Sequence, residues 1–272
     1  MKKFILFLFF LPAFVSNAQI NKVEHFFVSS PEAERLFNLF KEQFQLPVVW
    51  RFQKYKDFAS GGLSLGNVVF EFLTRDTVTD ARFGGIALEP THHIDEFIEE
   101  LDRLEIAHDT VQNNTRVKDN GVLTGWSNVR LPDLLPTHGK IFVCDYKERD
   151  KVAAGRKKAS DSLRLNNGGP IGVVGLYQIV LKSSVIEGQS QFFSKLSGIL
   201  KKEGTVFEFS SGPSIKLSPS SDNGIEKIVI KVTSLTAAKK YLAFAHLLGQ
   251  TTNNSIFINP NEINGLLVEL IE

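Results

Sequence analysis

Few ionisable side chains fall on the strongly apolar segments of this chain, and those few are where chemistry would have to reside. His25 lies in Val23–Val28 and Glu71 in Val68–Leu73, two runs that are apolar at nearly every other position. Read as strands, both would be buried on both faces, and the alternation puts Val23, His25 and Phe27 on one side. An imidazole or a carboxylate is costly to bury unless it is paired or liganded. Together they supply the nitrogen and oxygen donors of a divalent-ion site, in which Glu71 could also move protons. A second pair follows the same pattern, with Gln178 between Leu176 and Val180 and Glu269 between Leu267 and Ile271.

Other chemistries lack their signatures. The sequence contains no Gly-x-Gly-x-x-Gly, no Walker lysine loop and no His-Glu-x-x-His. Cys144 is the only cysteine, and it sits in the apolar run Ile141–Cys144, so it reads as a buried structural thiol and no internal disulfide can form. Trp50, Phe52, Tyr55 and Trp126 lie on or near later strands of the first half, where they either line a ligand pocket or pack in the core.

The elements that must position these residues repeat four times as a strand, an amphipathic helix and further strands. In the first unit Val23–Val28 precedes a helical stripe of Ala33, Leu36, Phe37, Phe40 and Phe44, then strands at Val48–Phe52, Leu63–Leu65 and Val68–Leu73. The second unit runs from Gly84–Leu88 through Ile94, Phe97, Ile98 and Leu101 to Lys140–Tyr146. A polar stretch, residues 148–170, predicts a connecting helix with a solvated face that ends at Asn166–Gly169. Two further units follow: Gly175–Leu181 with Phe192, Phe193, Leu196 and Leu200, and Lys227–Val232 with Leu235, Ala238, Leu242 and Ala245, a helix stopped by Gly249. A single unit leaves its apolar face open, so the units must pair.

These units resemble the vicinal oxygen chelate superfamily, which includes glyoxalase I, bleomycin-resistance proteins and extradiol dioxygenases. The resemblance rests on His25-Phe-Phe-Val-Ser-Ser, Leu39-Phe40-Lys-Glu-Gln-Phe44-Gln-Leu-Pro and Gly66-Asn-Val-Val-Phe-Glu71-Phe-Leu. It recurs in Gln178-Ile-Val-Leu with Phe192-Phe-Ser-Lys-Leu-Ser-Gly198, and in Gly265-Leu-Leu-Val-Glu269-Leu. It implies an α+β fold of four βαβββ-type units paired into two cup-shaped, mixed-sheet, glyoxalase-like domains, residues 19–147 and 171–272. Metal ligands would come from the first and last strand of each unit.

Carried over residue by residue, His25 and Glu71 match the ligand positions of the first unit. The second unit carries Phe83 at the first-strand position and Phe142 or Val143 at the last. His138 and Asp145 are possible replacements, whose other readings are a loop histidine and a strand-end aspartate. The second domain departs further, with Lys216 and Lys227 at ligand positions beside Gln178 and Glu269, so no metal is expected there. Two functions remain open. One is an enzyme, a lyase, isomerase or dioxygenase, with one divalent ion (zinc, iron, manganese and nickel are not distinguished) acting on a small oxygenated molecule. The other is a metal-free small-molecule binder of the bleomycin-resistance type.

Composition limits the partners. Of the 272 residues, 43% are hydrophobic and 22% charged, and the formal net charge of +1 excludes both a disordered chain and a strongly basic nucleic-acid binder. Met-Lys-Lys, the apolar run Phe4–Val15 and Ser16-Asn17-Ala18 together read as a signal peptide, residues 1–18, cleaved at Ala18-Gln19. That run is too short to span a bilayer. The expectation is an exported monomer or homodimer, free of the membrane after cleavage.

Overall fold

A computed structural model describes residues 20–55, 57–75, 77–117, 123–132, 139–197, 201–202 and 204–272. Residues 1–18, for which a signal peptide is expected, the helix residue Leu200 and His138 lie outside the described residues. The first half contains β1 (Ile20–Ser29), α1 (Ala33–Gln43), β2 (Val48–Lys54), β3 (Ala59–Ser64), β4 (Val69–Thr74), β5 (Arg82–Pro90), α2 (Ile94–Arg103), β6 (Gln112–Val117), β7 (Leu123–Arg130) and β8 (Lys140–Tyr146). A helix, α3 (Arg149–Leu165), leads to β9 (Val173–Ser183), α4 (Ile186–Ser197), β10 (Lys201–Lys202), β11 (Val206–Phe207) and β12 (Ser214–Pro219). The last unit is β13 (Gly224–Val232), α5 (Leu235–Phe244), β14 (Leu248–Thr251), β15 (Ile256–Ile258) and β16 (Val268–Ile271).

The strands form two eight-stranded mixed sheets of one topology, β2-β3-β4-β1-β5-β8-β7-β6 and β10-β11-β12-β9-β13-β16-β15-β14. Within each unit the first and last strands run parallel, and the two units of a sheet join through antiparallel first strands, β1 with β5 and β9 with β13. The result is the expected α+β pair of cups. Helices cover the convex faces, where the α1 stripe of Ala33, Leu36, Phe37 and Phe40 is buried. Phe40 meets Phe70 edge-on at 5.2 Å, and Phe70 stands 4.6 Å from Phe26, so an aromatic layer fixes helix to sheet.

Strict alternation fails at least once in the first strand of every unit. Opposite β5, Val23 pairs with Leu88 and His25 with Ala87, so Glu24 is an extra, bulged residue. Val23 therefore packs with Phe26 and Val28 in the core, while His25 and Phe27 face the cup, which corrects the face expected for Val23. The same register shift makes Gly84 the bulge of β5, Tyr177 that of β9 and Glu226 that of β13. With the bulges aligned, the counterpart of His25 is Gly85 in β5, Gln178 in β9 and Lys227 in β13. Phe83 is a core residue and not the counterpart of His25. Glu71 lies opposite Phe27, as Phe142 lies opposite Ala87, Lys216 opposite Val180 and Glu269 opposite Val229, so Phe142 is the last-strand counterpart and Val143 is core.

Other expectations also change. The hairpin β6–β7, rich in Asn, Thr and Ser, carries too little apolar pattern to be read as strands. Helix α5 ends at Phe244 with Ala245 as its C-cap, and the next residue, His246, takes a left-handed φ of 58°. Gly249 instead lies inside β14. Helix α3 is more than a solvated connector, because Ala159 and Leu163 are buried and the helix packs on β2, β3 and β8, across one end of the first cup.

Two glycine substitutions separate close packing from open helix. A Cβ at Gly85 would run into the backbone oxygen of Lys140, whereas nothing lies near a Cβ at Gly155 on α3. Gly85→Ala is expected to destabilise the protein by about 1–3 kcal/mol and Gly155→Ala to stabilise it by about 0.5–1 kcal/mol, both read by denaturant unfolding.

Candidate functional site

The bulge in β1 has a chemical consequence, since it puts two consecutive side chains, Glu24 and His25, on the inner side of the first cup. The Glu24 carboxylate contacts Nδ1 of His25 through one oxygen and Nη1 of Arg156, from α3, through the other. His25 Nε2 lies 3.5 Å from Glu71 Oε2 on β4. Four ionisable side chains thus form one chain, Arg156–Glu24–His25–Glu71, with side-chain exposures of 16%, 0%, 7% and 14%. Burial is deepest at Glu24, so its partners cannot be replaced by water.

The residues around this chain are apolar or weakly polar. The Phe142 ring meets the His25 ring edge-on at 5.7 Å, and Phe27 stands 6.4 Å from Phe142. Arg156 Nη2 donates to the Tyr146 hydroxyl at 3.3 Å, and its guanidinium lies 5.1 Å from the centre of that ring. Ser60 hydrogen-bonds to Glu71 and accepts from Trp50 Nε1 at 3.3 Å.

Burial sets the protonation states. It lowers the His25 pKa below its ordinary value, against the opposing pull of Glu71, so the imidazole is neutral at pH 7. Burial also raises the Glu71 carboxyl, while His25, Ser60 and Arg75 pull it back. Arg156 is pushed down to about 9 by burial and stays cationic at neutral pH. Cys144, on the same face, is pushed up to about 12 and shares a hydrogen bond with Tyr146, whose hydroxyl is itself held well above its usual range. A thiol so hard to ionise is not a nucleophile.

Of the remaining candidates of the first half, the structure brings Trp50 and Trp126 to this cup and places Asp145, Phe52 and Tyr55 elsewhere. Asp145 lies on the convex side, where its carboxylate accepts from Ile94 N at 2.9 Å and Arg149 Nε at 2.6 Å and sits 3.2 Å from His93 Nδ1, at the start of α2. Trp50 covers Gly62 on the cup side, and Trp126 lies on the cup face opposite Tyr146. Phe52 turns the other way, packing 5.8 Å from Phe37 of α1. Tyr55 stacks on Phe58 at the strand end, 4.6 Å away. In the second cup, Lys227 Nζ lies 2.7 Å from Glu269 Oε2, Gln178 donates to Ser214 at 3.1 Å, and Lys216 is exposed.

Sequence reasoning missed Glu24, Ser60, Tyr146 and Arg156. Glu24 adjoins His25 in an apolar strand, a signal that was legible, whereas Arg156, three and seven positions before the buried Ala159 and Leu163, stands among many other charges of α3. The donor set fits a catalytic ion poorly. Such a site takes about three protein ligands, and the described residues include no group of three His, Cys, Asp or Glu side chains able to hold a metal. The two counterpart positions hold Gly85, which has no donor, and Phe142, whose ring lies against His25.

No family model matches the chain, and no curated protein does. Among solved structures it is similar to a hypothetical protein from Staphylococcus aureus, at TM-score 0.63 and 11% identity over 92% of this chain and 98% of that one. It is also similar to variants of homoprotocatechuate 2,3-dioxygenase from Brevibacterium fuscum, at TM-scores of 0.60 and 0.58 and 10% identity over 95% of this chain and 73% of that one. A ring-cleaving extradiol dioxygenase from B. fuscum aligns at TM-score 0.57 and 11% identity over the same shares. These likenesses show the fold, two cups of the vicinal-oxygen-chelate type.

The raised Glu71 pKa makes a signed expectation. A carboxyl that holds its proton more tightly when folded costs nothing below its ordinary value of 4.5, and destabilises as pH rises through the folded value. Glu71→Gln, in chelator, should therefore leave Tm unchanged near pH 4 and raise it near pH 8, by about 2–4 °C per kcal/mol removed; calorimetry at the two pH values checks this.

Proposed function

We propose that the first cup binds a small aromatic molecule without a resident metal. Phe27, Phe142, Trp50 and Trp126 give it apolar walls, and the His25–Glu71 pair gives it a hydrogen-bond donor and acceptor. The observation that carries this reading is the pairing of Glu24 with Arg156. A side-chain cation already neutralises the most buried carboxylate of the cup, and the counterpart positions Gly85 and Phe142 add no donor. The likeness to ring-cleaving dioxygenases supports an aromatic ligand as a class and goes no further.

In this reading neutral His25 donates Nδ1–H to Glu24, which fixes the ring and leaves the Nε2 lone pair facing Glu71. Glu71, with its raised pKa, presents either a proton or a lone pair to a ligand hydroxyl. Helix α3 closes one end of the cup, so a ligand enters from the other.

One observation favours a metal-dependent enzyme instead. A carboxylate on Nδ1 orients a metal-binding histidine, and the 3.5 Å between Nε2 and Oε2 equals the bite of two ligands on one tetrahedral ion. His25 and Glu71 would then hold the ion, which would polarise a substrate oxygen.

Both tryptophans of the chain face this cup, so intrinsic fluorescence reports on it directly. Titration with methyl 4-hydroxybenzoate in EDTA is expected to give saturable quenching, weakened about tenfold or more in His25→Ala through loss of a buried hydrogen-bonding partner. Binding that EDTA abolishes and a divalent ion restores would favour the enzyme, and no quenching under either condition would sink both readings.

A further inference from the structure

One end of the second cup holds a cavity of about 420 Å³ that the reading of the first cup does not use. At the corresponding end of the first cup the space is filled. Lys22 and Glu89 meet there at 3.2 Å, and Arg156 of α3 reaches Glu24. The register gives these positions counterparts: Gly175 stands opposite Lys231 as Lys22 stands opposite Glu89, and Tyr177 is the bulged residue as Glu24 is. Glycine leaves out the side chain that Lys22 contributes. Glu24 is 1% exposed and Tyr177 52%, so the position sealed in the first cup is open in the second.

The wall of this cavity toward the first domain is already ordered. The Asn67 side chain accepts from Leu176 N and donates to Leu176 O, both at 2.9 Å, and Ser210 donates to Asn21 O at 2.6 Å. Such a wall spares a ligand part of the entropic cost of binding. The lining is mixed. Tyr177 and Val174, each about half exposed, offer an aromatic and an aliphatic surface. Glu208, Ser211 and Lys231 bring a carboxylate, a hydroxyl and an ammonium. The carboxylate and the ammonium offset each other, so the cavity selects no ion of one sign. A wholly apolar ligand would strip these groups of water and give them no hydrogen bond in return.

We propose that this cavity is a second binding site, for a neutral mono- or disaccharide. A pyranose ring is apolar on its C–H faces and hydroxylated around its edge. One face lies on the Tyr177 ring, while edge hydroxyls donate to Glu208 and accept from Lys231. Tyrosine gives such a platform at low entropic cost, because few of its torsions have to be fixed. The cavity volume falls within the roughly 300–1,000 Å³ typical of small-molecule sites. The first cup offers no such surface at the matching end, where Glu24 is buried against Arg156. The site is independent of what the first cup holds.

Isothermal titration calorimetry of the full chain with cellobiose, maltose and N,N′-diacetylchitobiose tests this. At least one is expected to bind with a Kd of about 1 mM or tighter. Its affinity should fall about tenfold or more in Tyr177→Ala and persist in Tyr177→Phe, which keeps the ring face. Ser211→Trp, which fills the cavity from an exposed loop position, should abolish binding as well, so the decision does not rest on one variant. Binding is expected to be the same at about 0.05 and 0.5 M salt, because a neutral ligand is not screened. Failure of all three sugars to bind at about 20 mM, or binding that survives both Tyr177→Ala and Ser211→Trp, overturns the proposal. Tighter binding of the zwitterionic dipeptide glycylleucine than of any of the sugars overturns it too, since Glu208 and Lys231 would then be recognising ions. Neither variant touches the first cup, so titration with methyl 4-hydroxybenzoate should be unchanged in both, and every outcome here leaves the reading of that cup intact.

Discussion

Burying the Glu24 carboxylate inside a β-sheet cup is the constraint around which the first domain is arranged. An isolated carboxylate there would be strongly unfavourable, and removing one partner of a buried pair typically costs about 3–5 kcal/mol. Arg156 supplies the counter-charge and His25 a hydrogen bond. Because Arg156 belongs to α3, the helix between the two sheets must lie across the cup, which closes one end and leaves the other as the entrance. The orientation of His25, and hence the direction in which Nε2 points, follows from the same contact. A single bulged residue therefore sets the geometry of the site, the position of a helix far along the chain and the direction of approach.

The four units show how one backbone device can serve different ends. Each has the bulge that turns two neighbouring residues toward the cup, yet the counterparts of His25 and Glu71 are Gly85 and Phe142, Gln178 and Lys216, and Lys227 and Glu269. In the second unit, glycine makes room where a side chain would strike the Lys140 backbone, and Phe142 fills the space beside His25. In the last unit a lysine is joined to the carboxylate opposite it. What is shared is the backbone; the chemistry differs from unit to unit, as expected when a fold is reused without its function.

Much of this was legible in the sequence, and the limits have physical reasons. The helices and inner strands followed from apolar period, because α1, α2 and the strands holding His25 and Glu71 bury most of what they carry. The polar hairpin β6–β7 did not, since edge strands gain their order from pairing more than from burial. The largest error came from strict alternation: one extra residue reverses every later face of a strand, which misplaced Val23 and led to Phe83 as the counterpart of His25. Asp145 was placed near the site by its position past Phe142, but the pleat puts it on the other side, where it caps α2. Arg156 was hidden because a helix rich in Arg and Lys looks solvated until its contacts are known.

The central claim is that His25 is a neutral, carboxylate-oriented imidazole whose Nε2 lone pair serves an organic ligand and not a metal. Nitrogen-15 spectra of the histidine rings, with His25 assigned through a His25→Gln variant, test it most directly. The account predicts a neutral His25 protonated at Nδ1 at pH 7, with signals unchanged by stoichiometric zinc, manganese or ferrous ion. A cationic ring, or an Nε2 signal that shifts or broadens at one equivalent of any of these ions, would contradict it.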